Sequence, residues 1–327
     1  MFKNKTIFIT GGTGSWGYEL VKQLLSYEPK ELRIFSRNES RQFKMMQDFD
    51  NNLKLKFYIG DIRDQEALNA TTKGVDYLFH LAALKHVPVC EEQPMEAFKT
   101  NVIGTQNVID AAILNEIDKV IYISTDKASN PSNFYGLSKA MGEHLITHAN
   151  TRKVKTTFIC IRGGNVLGTN GSVIHLFKKA ISENEKIKIT DVEMTRFFMT
   201  VEDAIQLVLK ATSDALGGEI FIMKMPAFKI TELANVLMDE HGVRNDFEII
   251  GIRPGEKIHE LLLSETESQS AILYDKSYFV ILPNFKTKEI KEQYKDYEKV
   301  KITNYNSGQM LLSAKEIKSI LSKGGFL

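Results

Sequence analysis

Thr10-Gly11-Gly12-Thr13-Gly14-Ser15-Trp16-Gly17 stands directly after a short β-branched run, Lys5 to Thr10, and directly before the helical pattern Tyr18 to Leu25. Gly11, Gly14 and Gly17 recur at every third position. Glycines so spaced allow a tight turn, close approach of the backbone to a pyrophosphate, and close packing of helix on strand. The helix N-terminus adds amide donors and a dipole that favours an anion. With Thr13, Ser15 and Trp16 completing the turn, the stretch predicts a dinucleotide site.

Outward from this turn, β-branched or aromatic runs alternate with helical patterns. Strands are expected at Lys5 to Thr10, Glu31 to Ser36, Lys54 to Ile59, Tyr77 to His80, Lys119 to Ile123 and Thr156 to Ile161. This rhythm predicts an α/β chain: a Rossmann-type doubly wound parallel sheet with a smaller mixed α/β substrate lobe. Beyond about Arg162 the strands shorten, as at Lys186 to Ile189 and Phe247 to Ile250. A helix at Thr200 to Ala211 and a strand at Glu219 to Met223 return the chain to the first sheet. Residues 1–165 are therefore expected to form the dinucleotide domain, rejoined near 200–224, with 166–199 and 225–327 in the second lobe. No repeat or low-complexity linker interrupts the chain.

The composition, 43% hydrophobic and 25% charged over 327 residues, is that of an ordinary globular protein and excludes disorder. Forty-two basic residues against 41 acidic leave a formal charge of +1, so no global field favours nucleic acid or an anionic membrane. Any anion must be held locally. Cys90 and Cys160 lack metal-ligand spacing and are expected to be structural thiols, with no metal site. The apolar stretch after Met1 to Thr6 is too short for a signal peptide or a membrane span, so a cytoplasmic protein is expected.

The second strand ends in Phe35-Ser36-Arg37-Asn38, without the carboxylate that usually holds the ribose hydroxyls of NAD. Arg37, with Ser36, Asn38, Ser40 and Arg41 around it, suits a ribose 2′-phosphate and points to NADP. The alternative is that Arg37 and Arg41 form a solvated helix face and Glu39 holds the ribose. Asp61 and Ile62, after the third strand, are placed to border the adenine. Ala82 and Ala83, after the fourth, are placed to line the cofactor channel.

The fifth strand runs into Ser124-Thr125-Asp126-Lys127, and Tyr135 and Lys139 follow four residues apart on one helix face. Beside an ammonium and a nicotinamide cation, the Tyr135 phenol can act as base toward a substrate hydroxyl while Thr125 holds the same oxygen. Oxidation alone needs neither Asp126 nor Lys127. Facing the crevice, a neutral Lys127 could take a hydrogen made acidic by a new carbonyl while a protonated Asp126 donates to a departing oxygen. The alternative is a surface ion pair.

Taken together, these residues resemble the extended short-chain dehydrogenases, and specifically the UDP-N-acetylglucosamine 4,6-dehydratases, over almost the whole chain. The resemblance extends to Ala82-Ala83-Leu84-Lys85-His86-Val87-Pro88, Gly164-Asn165-Val166, Gly171-Ser172-Val173-Ile174, Met194-Thr195-Arg196-Phe197-Phe198-Met199 and Arg253-Pro254-Gly255-Glu256-Lys257. It implies that Lys85 lies between cofactor and sugar and that Asn165 and Val173 border the nucleotide-sugar. It further implies that Arg196 and Arg253 grip the diphosphate, with Glu256 near the ribose or uracil. Some relatives carry Met in place of Tyr135; the Tyr looks like the branch that inverts carbon 5, on a route to pseudaminic acid or an L-sugar. Relatives also imply a homo-oligomer, a dimer or hexamer. Gly163 and His175 depart from the family pattern, which has Tyr and Pro there, and both are expected to border the sugar pocket. The hydride can return to carbon 6 or to carbon 4, the latter giving a 5,6-ene.

Two other readings compete. A UDP-hexose 4-epimerase would share Thr125, Tyr135 and Lys139 but has no use for an eliminating Asp126–Lys127 pair. A non-catalytic NADPH-sensing scaffold would share the fold, and the complete Thr125, Tyr135, Lys139 set counts against it.

Overall fold

A computed structural model of the chain describes residues 1–152, 154–168, 172–243 and 246–327. Its large sheet takes β1 (Thr6–Thr10), β2 (Glu31–Ser36), β3 (Leu55–Ile59), β4 (Tyr77–His80), β5 (Lys119–Thr125) and β6 (Thr157–Gly163). All pair in parallel, in the order β3-β2-β1-β4-β5-β6. The chain winds one way from β1 to β3 and the other way from β4 to β6. The crevice between the carboxyl ends of β1 and β4 is the switch point at which doubly wound sheets take ligands.

The second half contributes β7 (Asn165–Val166), β8 (Ile187–Ile189), β9 (Thr195–Met199), β10 (Ile220–Met223), β11 (Ala227–Lys229), β12 (Phe247–Ile249), β13 (Leu261–Leu263), β14 (Ala271–Leu273), β15 (Tyr278–Ile281) and β16 (Tyr305–Asn306). β10 returns to the large sheet parallel to β6, and β15 and then β14 extend that edge antiparallel. Assigning 225–327 wholly to the second lobe therefore fails at 271–281. The apolar runs there pair with β10 rather than with the smaller sheets, which have the orders β11-β9-β7, β12-β8 and β13-β16.

Burial explains why these segments adopt these forms. All five residues of β1 are buried, as expected for a central parallel strand covered on both faces. Its side chains alternate, with Ile7 and Ile9 in one core and Phe8 in the other. Each is fully enclosed and contributes about 1.5–3 kcal/mol by burial. The helix Ser15–Leu25 buries Gly17, Leu20, Val21 and Leu24, a helical stripe, against the same side as Ile7 and Ile9. In the second lobe Phe198 and Phe228 stack at 4.5 Å within a core of their own.

Charge ties the segment between β13 and β14 to the large sheet. Arg162, on β6 and 1% exposed, donates to Glu143 Oε1 at 3.0 Å, to Glu267 Oε1 at 2.8 Å and to the Leu262 carbonyl at 3.0 Å. Burial pushes the Glu267 carboxyl up, but Arg162 outweighs it and holds the group down at about 2. The two free thiols, Cys90 and Cys160, are both buried.

Candidate functional site

The glycine turn sits at the switch point and is built from backbone. Gly11 has φ +69°, and a Cβ there would lie 2.8 Å from the Ala82 nitrogen; one on Gly17 would lie 2.3 Å from the Gly12 oxygen. Gly11 N–H donates to the Phe35 carbonyl at 2.9 Å. The ends of β1, β2 and β4 thus converge with no side chain between them, a cradle for a pyrophosphate. Behind it His80 lies between the hydroxyls of Thr10, at 2.7 Å, and Thr105, at 3.1 Å. Burial pushes it down to about 3, so it is a neutral spacer.

A cleft of about 1060 Å³ opens from this cradle toward the second lobe. Gly11, Thr13, Gly14, Ser15, Trp16 and Gly17 line one end, joined by Ser36, Arg37, Asn38, Arg41, Asp61, Ile62, Ala82 and Ala83. Ser40 is the exception. Asn38 caps the helix Glu39–Asp48 by accepting from Arg41 N–H at 2.9 Å, and the helix start leaves Ser40 and Glu39 exposed and off the cleft wall. Asp61 is held chiefly by Arg63, at 2.6 Å, whereas Arg37 reaches it only at 3.7 Å and remains 56% exposed.

Lys85 lines the middle of the cleft, and burial lowers the proton affinity of its ammonium. Its loop is fixed by Asn101, whose Oδ1 accepts from Leu84 N–H at 2.8 Å and whose Nδ2 donates to the Leu84 carbonyl and to Ser138 Oγ, both at 2.9 Å. Asn101 lies in a π-helical turn, Lys99–Ile103, the kind of irregularity that often accompanies functional sites. A single polar residue in a helical run gave no sequence signal for this role.

At the next stretch of wall stand Thr125, from the end of β5, Lys127, from the turn Asp126–Ala128, and Tyr135 and Lys139, from the helix Phe134–Ala149. Burial pushes the Tyr135 phenol up to about 12, against the opposing pull of Lys127 and of a hydrogen bond with Thr125. Lys127 is the cation that acts most strongly on this phenol. The Lys139 ammonium instead donates to the Ile123 carbonyl at 2.7 Å and sits 3.8 Å over the Tyr122 ring, and burial brings it down to about 8.

Asp126 does not face the crevice as expected. It is 0% exposed and stands behind the wall, because the turn at 126–128 directs its carboxyl inward. Oδ1 accepts from Thr125 Oγ1 at 2.9 Å and from Lys127 Nζ at 3.1 Å. Lys127 Nζ lies equally close, 3.1 Å, to Glu260 Oε1, which in turn lies 3.6 Å from Arg196 Nε. Burial opposes the Lys127 charge, but Asp126 and Glu260 outweigh it and keep the ammonium protonated. Glu260 was not legible beforehand; its one signal is that it closely follows the Arg253–Lys257 motif.

The far end of the cleft carries Asn165, Val173, Arg196, Arg253 and Glu256. Arg196 is buried and donates to the carbonyls of Thr195, at 2.7 Å, and Ile258, at 3.1 Å. Arg253 is 59% exposed, with Glu256 at 3.9 Å. Gly171 lies outside the described residues. Gly163 and His175 do not border this pocket. A Cβ on Gly163 would approach the Met223 sulfur to 3.1 Å within the sheet, and His175 is exposed on the helix Val173–Ser182. Among the described residues no His, Cys, Asp and Glu cluster suits a metal ion, and no helix is long and apolar enough to cross a membrane.

Comparison with known proteins follows the same outline. The UDP-N-acetylglucosamine 4,6-dehydratase (inverting) of Campylobacter jejuni is 45% identical over 290 residues, 88% of this chain and 85% of its own. A UDP-glucose 4-epimerase of Rickettsia felis is 47% identical over 277 residues, 83% of this chain and 81% of its own. The X-ray structure of Pen from Bacillus thuringiensis superposes with a TM-score of 0.92 at 38% identity, covering 100% of this chain and 99% of that one. The family described as polysaccharide biosynthesis protein matches residues 7–282. With its glycine cradle, its cleft and these relatives in agreement, the chain belongs to the polysaccharide biosynthesis protein family.

Proposed function

We propose that this chain is an NADP-dependent nucleotide-sugar dehydratase that removes water across carbons 5 and 6 of UDP-N-acetylglucosamine and inverts carbon 5. The observation that carries this reading is the Lys127 ammonium, 3.1 Å from each of Asp126 and Glu260, on the wall beside Thr125 and Tyr135. Oxidation or epimerisation alone has no use for such an array. The name of the Campylobacter relative supports the substrate and the inversion.

The side-chain-free cradle at Gly11 and Gly17 fits a nicotinamide dinucleotide, which when bound supplies a hydride acceptor for carbon 4 and later returns the hydride. Arg37, lightly paired where an NAD site carries a carboxylate, supports NADP. Tyr135 takes the proton of the carbon-4 hydroxyl as a phenolate, the form that Lys127 and a bound nicotinamide cation favour against burial, and Thr125 holds that oxygen. Once carbon 4 is a ketone, the hydrogen on carbon 5 is acidic. Lys127 faces the sugar to take it after passing its own proton to a carboxylate. Asp126, which accepts from Thr125 and Lys127, supplies the proton for the carbon-6 oxygen by relay: the Thr125 hydroxyl gives its own proton outward and takes that of Asp126 in return. Arg196 and Arg253 hold the diphosphate, Lys85, Asn165 and Val173 border the sugar, and Glu256 meets the ribose or uracil. Val89, Met95, Ile103, Leu137 and Met141, apolar and exposed on helices that pack together, support a homo-oligomer, a dimer or hexamer, that covers them.

The test is a proton NMR time course with UDP-N-acetylglucosamine in deuterated buffer without added cofactor. A new methyl signal with deuterium at carbon 5 is expected. Vinylic signals without a methyl would mean hydride return to carbon 4. Inversion at carbon 4 with the carbon-6 hydroxyl retained would make the chain an epimerase, as the Rickettsia relative is named, and an unchanged spectrum would leave a binding scaffold.

A further inference from the structure

Two buried carboxyls share one ammonium. Lys127 Nζ lies 3.1 Å from Asp126 Oδ1 and 3.1 Å from Glu260 Oε1, with Asp126 0% and Glu260 3% exposed. Each also buries a second oxygen, Asp126 Oδ2 and Glu260 Oε2, with no hydrogen-bond partner among the described residues. Lys127 alone does not neutralise two anions in so dry a site, so the carboxyl with no other cation in contact binds a proton.

The surroundings decide which. Glu260 has a second cation, Arg196 Nε at 3.6 Å, and feels Lys257 as well. Asp126 feels Lys257 too, but beyond Lys127 it contacts, among the described residues, only the Thr125 hydroxyl, at 2.9 Å. Burial and the Glu260 charge push the Asp126 carboxyl up, whereas for Glu260 the pull of Lys127 and Arg196 outweighs burial and holds it down. Tyr135, the remaining titratable group at this ammonium, is pushed up by burial and carries no charge until a nicotinamide cation lies beside it.

We propose that Glu260 is a positioning residue of the dehydration centre: the fixed anion between Lys127 and Arg196, it keeps Asp126 in its proton-carrying form and is itself the carboxylate to which Lys127 passes a proton. This deepens the dehydratase reading and gives the Asp126 proton its use. The elimination then balances. Lys127 gives its proton to Glu260 and takes the proton of carbon 5. The carbon–hydrogen electron pair becomes the carbon 5–carbon 6 double bond, and the carbon 6–oxygen bond breaks with its electron pair. The Thr125 hydroxyl passes its proton to the departing oxygen and takes the Asp126 proton in return, which completes the water. Afterwards Glu260 is protonated and Asp126 ionised, and transfer through Lys127, in contact with both, resets the array.

The decisive experiment is a carbon-13 NMR titration of the side-chain carboxyls of the full chain, assigned with D126N and E260Q. Asp126 in the wild type is expected to keep its proton above the ordinary carboxylate range. In E260Q the like charge is gone, so Asp126 should titrate lower by about one pH unit or more, while E260D, which retains the anion, should titrate close to wild type. The same Asp126 titration in wild type and E260Q would overturn the proposal. So would a wild-type Asp126 that ionises in the ordinary range, even if E260Q failed to fold. Dehydration provides a second reading: E260Q should lose about 100-fold at neutral pH, and its pH profile should move to lower pH together with the Asp126 titration, since a less basic Asp126 keeps its proton only at lower pH. A slow E260Q with the wild-type pH profile would reduce Glu260 to a structural residue. If even the wild type altered no UDP-sugar, the dehydratase reading would fail while the carboxyl titration still decided the role of Glu260.

Discussion

The carbonyl oxygen of Gly255 accepts a hydrogen bond from Nδ2 of Asn133 at 2.9 Å, while Oδ1 of the same side chain caps the helix bearing Tyr135 by accepting from Gly136 N–H at 2.8 Å. Ser132 Oγ donates to the same carbonyl at 2.9 Å, and Lys257 Nζ donates to the Ser129 carbonyl at 2.9 Å. The Arg253–Lys257 segment is therefore docked on the loop that starts the helix carrying Tyr135 and Lys139. Asn133→Asp should keep the cap but lose the donor to Gly255, leaving the urea midpoint near wild type while raising KM for the UDP-sugar. Asn133→Ala should raise KM and also cost about 1 kcal/mol of stability. Equal KM values for the two variants and the wild type would show that the docking contact does not serve the substrate.

Gly17→Ala tests the cradle. Its Cβ would fall 2.3 Å from a backbone oxygen, which cannot swing aside as a side chain can. The variant is expected to purify without dinucleotide, as read from the absorbance of the released cofactor, and to lose about 1–3 kcal/mol in chemical denaturation.

Arg37→Ala should weaken NADP binding about 10- to 100-fold and leave NAD binding unchanged, in line with about 1.5–3 kcal/mol for hydrogen bonds to a charged group. Calorimetric titration of the stripped protein checks this. Glu39→Ala, altering an exposed residue off the cleft wall, should change neither affinity.

Lys127→Ala removes the cation shared by Asp126 and Glu260. Dehydration should fall about 10²- to 10⁴-fold, while cofactor still copurifies. Because two buried carboxyls lose their partner, stability should fall as well, by about 3–5 kcal/mol. Normal turnover measured by NMR would remove Lys127 from the reaction.

Acid sensitivity should trace in part to Glu267, held at about 2 against an ordinary 4.5. A depressed carboxyl contributes stability that is fully present above its unfolded value and is lost as pH falls through its folded value. The loss should therefore run from about pH 4.5 down to about pH 2. Glu267→Gln should show a shallower fall between about pH 5 and about pH 3 in urea unfolding than the wild type; parallel curves would place the acid sensitivity elsewhere.

What the sequence determined by itself is what neighbours along the chain determine. The spacing of Gly11, Gly14 and Gly17, the buried run of β1, the alternation of strand and helix through β6 and the four-residue step from Tyr135 to Lys139 are local patterns, and the strands stand within a residue or two of where periodicity put them. The cleft wall was legible for the same reason, because strand ends and helix starts meet at the switch point of any doubly wound sheet. Only the tertiary structure decided the rest. It turned Asp126 inward and Ser40 outward, sent β14 and β15 to the edge of the large sheet, fixed the Lys85 loop through Asn101, and brought Glu260 to Lys127 from a distant part of the chain. Burial, partner and charge state depend on which distant segments pack together, and no local spacing encodes them: a carboxyl becomes an acid or a fixed anion according to how many cations the fold leaves beside it.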